Sequence, residues 1–250
     1  MLRLYLFVEG QTEQTFADTV LRPHFAAHGV LLHPAVLIAN SRRRGKVQRG
    51  GGRSYVPMRD DITRFTEQEK GADVRFSTLI DLYALAPDFP GFAAAATLRH
   101  RPYERVKELE KAWYDDQPDR RFMPFIVLHE YETFLFAKPD EFSLFYPDEP
   151  RAIKALQKIA SETGNIELIN DGPQTAPSKR IIAEFPPYEK GKTTVGPQVA
   201  ELIGLARIRE SCRHFDEWLQ KFEELGKVSA GESANTSVAA SDDADEARAD

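Results

Sequence analysis

The sequence is short of several residue types whose absence excludes whole classes of protein. It has one cysteine, Cys212, together with three methionines and two tryptophans in 250 residues. A single cysteine excludes a disulfide framework and any cysteine-built metal knot. No apolar run approaches the ~20 residues that span a bilayer. The N-terminal run Leu2–Val8 is stopped by Glu9, and no small-residue cleavage site follows it, so it reads as a buried strand rather than a targeting segment. There is no internal repeat. The expectation is a soluble, reduced, cytoplasmic protein, long enough to bury a core without staples. Charge of one sign is not in great excess either: 33 Lys and Arg against 39 Asp and Glu give −6. Residues 226–250 hold six acids and two bases, or −4, which leaves −2 for residues 1–225. A nearly neutral body with a local basic run does not exclude a nucleic-acid partner.

What is present is an alternation of apolar strands and amphipathic helices. Leu2–Val8 has the continuous apolar character of a central parallel strand. Thr12 is placed to cap a helix reaching about residue 28, with Gly29 after its end. Strand two is expected over 30–38, broken by Pro34. Helix two follows over 58–70, strand three over 76–80, helix three over 103–114 and strand four over 122–128. Later helices are expected over 152–161, 177–184, 199–205 and 214–225. The order β-α-β-α-β-α-β predicts an α/β fold: an open, mainly parallel, four-stranded Rossmann-like sheet with helices on both faces. A mostly helical C-terminal extension would follow. The expected division is an α/β domain over 1–138, a helical extension over 139–225, and a disordered acidic tail over 226–250, where no aromatic or apolar period remains.

Open parallel sheets bind ligands outside the carboxyl ends of their strands. Three of the four strands deliver acids there: Glu9 and Glu13 after strand one, Asp81 after strand three, and Glu130 and Glu132 after strand four. One acid at a strand end is often only a turn residue or a cap, but three strands ending this way point to a shared site. Clustered carboxylates raise one another's pKa unless a cation neutralises them. Oxygen-only donors favour Mg²⁺ or Mn²⁺ over zinc, and such ions activate water and stabilise a leaving oxygen in phosphodiester cleavage. A helix beginning near Thr12 would let Glu9 and Glu13 face one site, and an extended backbone would put Glu130 and Glu132 on one face.

Positive charge is concentrated in two places. The glycine-rich stretch 41–53 carries Arg42, Arg43, Arg44, Lys46, Arg49 and Arg53 and no acid. It follows strand two at the same sheet edge as the acids, where it would hold phosphates without reading sequence. Pro177-Ser178-Lys179-Arg180 opens a helix whose N-terminus suits phosphate, and Lys190 and Lys192 form a second basic spot. Gly191-Lys192-Thr193-Thr194 superficially echoes a nucleotide-binding loop. Pro186 stands where the leading glycine would be, and no apolar strand precedes it, which excludes an NTPase.

The segment Val8-Glu9-Gly10-Gln11-Thr12-Glu13 resembles the opening of Toprim-like domains, found in topoisomerases, primases and OLD-family nucleases. The body, roughly residues 1–222, is similar to the DUF4276 family of bacterial Toprim-like proteins. The resemblance rests on Leu-Ile-Asp-Leu-Tyr at 79–83, Asp-Phe-Pro-Gly at 88–91 and Phe-Met-Pro-Phe-Ile-Val-Leu-His-Glu-Tyr-Glu at 122–132. Asn-Asp-Gly-Pro at 170–173, Ala-Pro-Ser-Lys-Arg-Ile at 176–181 and Arg-Glu-Ser-Cys-Arg-His-Phe at 209–215 add to it. Toprim domains support Mg²⁺ chemistry with a strand-one Glu and a later Asp-x-Asp pair. Glu9 and Asp81 match the first two acids, and Tyr83 stands where the second Asp would be. OLD-like nucleases instead place a second Glu four residues after the first and a further acid-x-acid pair later, which Glu13 and Glu130/Glu132 resemble. They also use a lysine near the scissile phosphate, for which Lys179 is the candidate, with Lys190 and Lys192 as alternatives.

The resemblance therefore implies a metal-dependent nuclease in bacterial phage defence or nucleic-acid processing. Glu9, Asp81 and Lys179 would be catalytic. Glu9, Glu13, Asp81, Glu130 and Glu132 would hold Mg²⁺ or Mn²⁺. The basic residues with Ser178 and Arg180 would hold DNA or RNA. It equally implies the alternative of a non-catalytic adaptor or effector of an AAA- or ABC-type ATPase partner.

Overall fold

In the computed structural model, residues 1–38, 54–169, 172 and 174–246 are described. The core is a parallel sheet of six strand segments lying in four lanes. The central strand β1 (Leu2–Val8) pairs on one side with β2 (Val30–Leu32) and then, further along, with β3 (Val36–Leu37). On its other side it pairs with β4 (Val74–Asp81), from Arg3 against Val74 to Val8 against Leu79. β4 in turn carries β5 (Phe122–Met123) and β6 (Ile126–Val127) in the outer lane. The two outer lanes are each interrupted at a proline, Pro34 in one and Pro124 in the other, because proline has no N–H for a ladder. The expected four strands are thus four lanes and six segments.

β1 shows why both faces of the sheet are covered. Its side chains alternate, so Leu2, Leu4, Leu6 and Val8 enter one apolar cluster while Tyr5 and Phe7 enter the other. The second cluster lies under two amphipathic helices, α3 (Val56–Gln68) and α5 (Pro102–Asp116). Met58 and Ile62 of α3 and Val106, Leu109 and Trp113 of α5 are buried there. A short α4 (Phe92–Ala96) leads into α5.

The first cluster lies under the helix pair that follows β1 and under the whole C-terminal part. Chain 11–27 is helical throughout: α1 (Gln11–Phe16), a π turn at Ala17–Leu21, and α2 (Arg22–Ala27). Its cap is Gly10 rather than Thr12, and Gly29 follows with φ +75°, the conformation expected after a helix end. The C-terminal part comprises α6 (Pro150–Thr163), α7 (Pro177–Glu184), α8 (Tyr188–Ile203), α9 (Leu205–Ser211) and α10 (Arg213–Glu246). Trp218 of α10 is buried beneath the sheet, where its indole N–H donates to Ser77 Oγ at 2.9 Å.

Two segments depart from the sequence reading. The stretch 188–192, expected as a basic spot ahead of a helix over 199–205, belongs to the long helix α8, which runs on through Gly191 and Pro197. The backbone of α10 continues to Glu246, so it does not leave the helix near Leu225 as the tail's composition suggested. The alanine-rich, proline-free stretch beyond Leu225 has no residue that breaks a helix outright. Among the described residues, no helix is long and apolar enough to cross a membrane.

Candidate metal centre

The lanes of β1, β4 and β6 each end in a turn that places carboxylates at the carboxyl edge of the sheet. β1 stops at Glu9, and the extended Gly10 caps α1. Glu13, buried in the first turn of α1, folds back over that turn: a Cβ on Gly10 would stand 3.1 Å from its Oε2. An acid in the first turn also suits the positive end of the helix. β4 ends at Asp81, whose Oδ1 accepts the Tyr131 N–H at 2.9 Å. The Tyr83 N–H donates to the His129 carbonyl at 3.2 Å, so two hydrogen bonds lace the 81–83 turn to the 129–131 turn.

The outer lane reaches that turn through a strained residue. His129 has φ +75°, the left-handed region that a residue with a β-carbon seldom occupies. The turn re-aims the chain from β6 into a buried 3₁₀ helix, Tyr131–Ala137. Glu130 is extended, whereas Glu132 is inside the 3₁₀ helix, so the two share a site without the extended run expected of them. The Glu130 carboxylate sits on the N-terminus of α7, accepting the Ser178 N–H at 2.6 Å and the Ser178 hydroxyl at 3.1 Å. Glu132 is 5% exposed and pairs with Lys192 Nζ of α8 at 3.2 Å.

The electrostatics bring the five acids together. Burial first, then the charges of Glu13, Glu9, Glu132 and Glu130, push the Asp81 carboxyl well above the usual carboxylate range. Burial raises Glu132 to about 7 against the opposing charge of Lys192, with Glu130 adding to the rise. His129, in the turn before Glu130, is held down at about 4 by burial and then by the charge of Arg105, so its imidazole is neutral near pH 7.

Two tyrosines close the inner side. Tyr131 and Tyr188 are buried, and their hydroxyls have no hydrogen-bond partner among the described residues. The charges of Glu13 and Glu132 act on Tyr131, and those of Glu132 and Glu130 act on Tyr188. Gly196 lets α8 approach them, since a Cβ there would meet the Tyr188 hydroxyl at 2.8 Å. Nothing in the sequence singled out Tyr188.

Of the basic residues proposed from the sequence, Lys192 is the one that pairs with this cluster among the described residues. Lys179 and Lys190 are exposed and have no ion pair among the described residues. Ser178, expected to hold phosphate, holds Glu130 instead, and the carboxylate occupies the α7 N-terminus that a phosphate would take. The Arg180 Nε–H donates to the Thr175 carbonyl at 2.8 Å. Arg42, Arg43, Arg44, Lys46, Arg49 and Arg53 lie outside the described residues.

All five candidate donors are carboxylates, and burial together with its neighbours' charge pushes the central one above the usual carboxylate range. Both facts fit a hard divalent cation, which takes oxygen ligands and relieves the mutual repulsion. A family model described as a domain of unknown function, DUF4276, matches residues 8–223. No curated protein and no solved structure matches the chain at a significant level.

Proposed function

The chain belongs to the DUF4276 family, and from that premise we propose that it is a divalent-metal-dependent nuclease hydrolysing the phosphodiester bonds of DNA or RNA. The observation that carries this reading is the Asp81 carboxyl, half-buried at the carboxyl edge of a parallel sheet, fixed by the Tyr131 N–H and in the field of four other carboxylates. A fold does not need five acids at one sheet edge, and their repulsion costs stability; sites that bind a cation accept that cost. The pattern of Glu9 and Glu13 on one strand end with Asp81 and Glu130/Glu132 on the next two resembles the OLD-like Toprim arrangement.

In this reading Glu9, Glu13, Asp81, Glu130 and Glu132 would hold Mg²⁺ or Mn²⁺. When bound, the ion would supply Lewis-acid activation of water and of the phosphoryl group. The chain's own residues fix the donors. The Tyr131 N–H orients Asp81, Ser178 orients Glu130, and Lys192 holds Glu132 while standing ready to offset charge on a phosphate. Lys192 takes the role that the sequence had given to Lys179. The protein would act in the cytoplasm of a bacterium, in phage defence or nucleic-acid processing, alone or with an ATPase partner.

The test is cleavage of end-labelled single- and double-stranded DNA and RNA with Mn²⁺, with and without Glu9→Gln and Asp81→Asn. Metal-dependent cleavage that falls at least ~100-fold in both variants supports the reading, a loss on the scale of removing one strong transition-state contact. Cleavage that persists in both variants overturns it.

A further inference from the structure

Among the described residues, half-buried arginines donate to a carboxylate or a carbonyl. Arg3 meets Asp73, Arg121 meets Asp119, Arg180 meets the Thr175 carbonyl, and Arg209 meets Glu223. Arg105 is the exception. It is half-buried, its Nε is inaccessible and has no hydrogen-bond partner, and no described acid pairs with it. Its charged neighbour is another cation, Arg99. A guanidinium left unpaired in a partly buried place is costly unless something else supplies the anion.

The topology puts Arg105 near the turn that leads into Glu130. α5 descends from the carboxyl edge of the sheet to the start of β5, packing along the outer lane. Two contacts fix its height: Glu110 Oε1 accepts the Ile126 N–H at 2.9 Å, and the Trp113 ring lies 5.3 Å from Phe122. Arg105 is five residues up the helix from Glu110, or about 7.5 Å. His129 is three residues up the lane from Ile126, or about 10 Å. Arg105 therefore stands level with the His129 turn that aims Glu130. Its charge reaches His129, and Tyr83 lies within its field. Lys192 lies against Glu132, and Arg105 lies by the His129 turn that leads into Glu130.

We infer that Arg105 is a phosphate-binding residue of this site, its guanidinium receiving a non-bridging oxygen pair of the substrate backbone on the α5 side of the acids. The inference deepens the nuclease reading and rests on it for the identity of the substrate. Arginine suits the task, since its planar fork matches phosphate geometry and its charge does not titrate away. Arg99, exposed at the preceding turn, extends the positive strip outward.

The experiment measures anisotropy of a fluorescein-labelled single-stranded oligonucleotide at low salt, for the full chain and its Arg105→Gln and Arg105→Lys variants. Urea melts and Mn²⁺ titrations of the same samples run beside it. The expected result for Arg105→Gln is at least ~10-fold weaker binding, with a salt slope shallower by about 0.7, the share of one phosphate contact on a single strand. Its urea midpoint is unchanged or higher, because an unpaired cation has been removed, and its Mn²⁺ binding is intact. Arg105→Lys recovers part of the affinity. Protection by inorganic phosphate alone would assign a terminal phosphate, and competition only by oligonucleotide a backbone one; either supports the inference. Oligonucleotide binding equal to wild type in Arg105→Gln overturns it. So does a fall in stability that accounts for the lost binding and is reversed by Arg105→Lys, since that marks a purely structural arginine. Absence of Mn²⁺ binding in the wild type, with Arg105-dependent oligonucleotide binding retained, would remove the nuclease reading and leave this inference standing.

Discussion

Removing the Glu167 carboxylate should destabilise the protein more than any single substitution among the acids at the carboxyl edge of its sheet. Glu167 is 2% exposed, in a short 3₁₀ helix, Ile166–Leu168, far in sequence from everything it holds. Its carboxylate accepts the Tyr103 hydroxyl at 2.8 Å, the His214 N–H at 3.0 and 3.1 Å, and the Phe215 N–H at 3.2 Å. It thereby caps the N-terminus of α10 and anchors the first turn of α5, two residues before Arg105. In Glu167→Ala the two backbone N–H groups lose their acceptor in a buried place, at about 1–3 kcal/mol each. Tyr103 loses less, because Asn165 Nδ2 still donates to its hydroxyl at 2.7 Å. The expected cost is about 3–5 kcal/mol. Glu167→Gln keeps one acceptor oxygen and should cost about half as much. Urea denaturation at pH 7 measures both, with an unchanged m-value expected. A cost below about 1 kcal/mol for the alanine variant, or equal costs for both variants, would refute the reasoning.

Three other outcomes are expected. Tyr188→Phe removes a buried hydroxyl that has no partner, so thermal unfolding should be unchanged or up to ~1 kcal/mol more favourable to the native state; a loss of that size would mean the hydroxyl is bonded. Asp119 accepts from the Arg121 side chain at 2.6 Å, and this hydrogen bond holds its carboxyl below the usual range. Because the folded value is the lower one, the contribution is complete above the unfolded pKa of about 3.9 and is lost as pH falls through the folded value. Stability against pH should therefore converge for wild type and Asp119→Asn in acid and separate by about 1–2 kcal/mol near neutrality, and parallel curves would count against the pair. Lys192→Met should weaken oligonucleotide cleavage while leaving Mn²⁺ binding in place, and cleavage at the wild-type rate would return the lysine role to Lys179 or Lys190.

The central lanes were legible because their residues obey one local rule. Leu2–Val8 and the apolar run ending at Asp81 are buried on both faces and read as strands in any context. Placing Glu9, Glu13, Asp81, Glu130 and Glu132 at one edge needed only the parallel order that alternating strands and helices impose. The break at Pro34 was visible beside the polar His33, whereas Pro124 was masked by Met123 and Phe125 on either side, which read as one strand. Helix α8 was hidden by Gly191 and Pro197, both poor helix formers. Its packing against α1 and the Tyr131–Ala137 segment overrides their propensity. Long-range pairings left no local signal at all. Ser178 was read as a phosphate ligand because a helix N-terminus attracts anions, and the anion it holds is Glu130. Arg105 was unremarked for the same reason: an arginine in a helical first turn looks ordinary until it is seen to have no acid paired with it among the described residues.

The most direct test of the account is calorimetric titration of Mn²⁺ into the metal-free full chain and into Glu9→Gln and Asp81→Asn, with urea melts to verify that each variant is folded. The account predicts saturable binding in the wild type that is lost in both variants, although the two residues lie on different strands and are 72 positions apart. Wild-type protein that takes up no Mn²⁺, or binding that survives both substitutions, would contradict it.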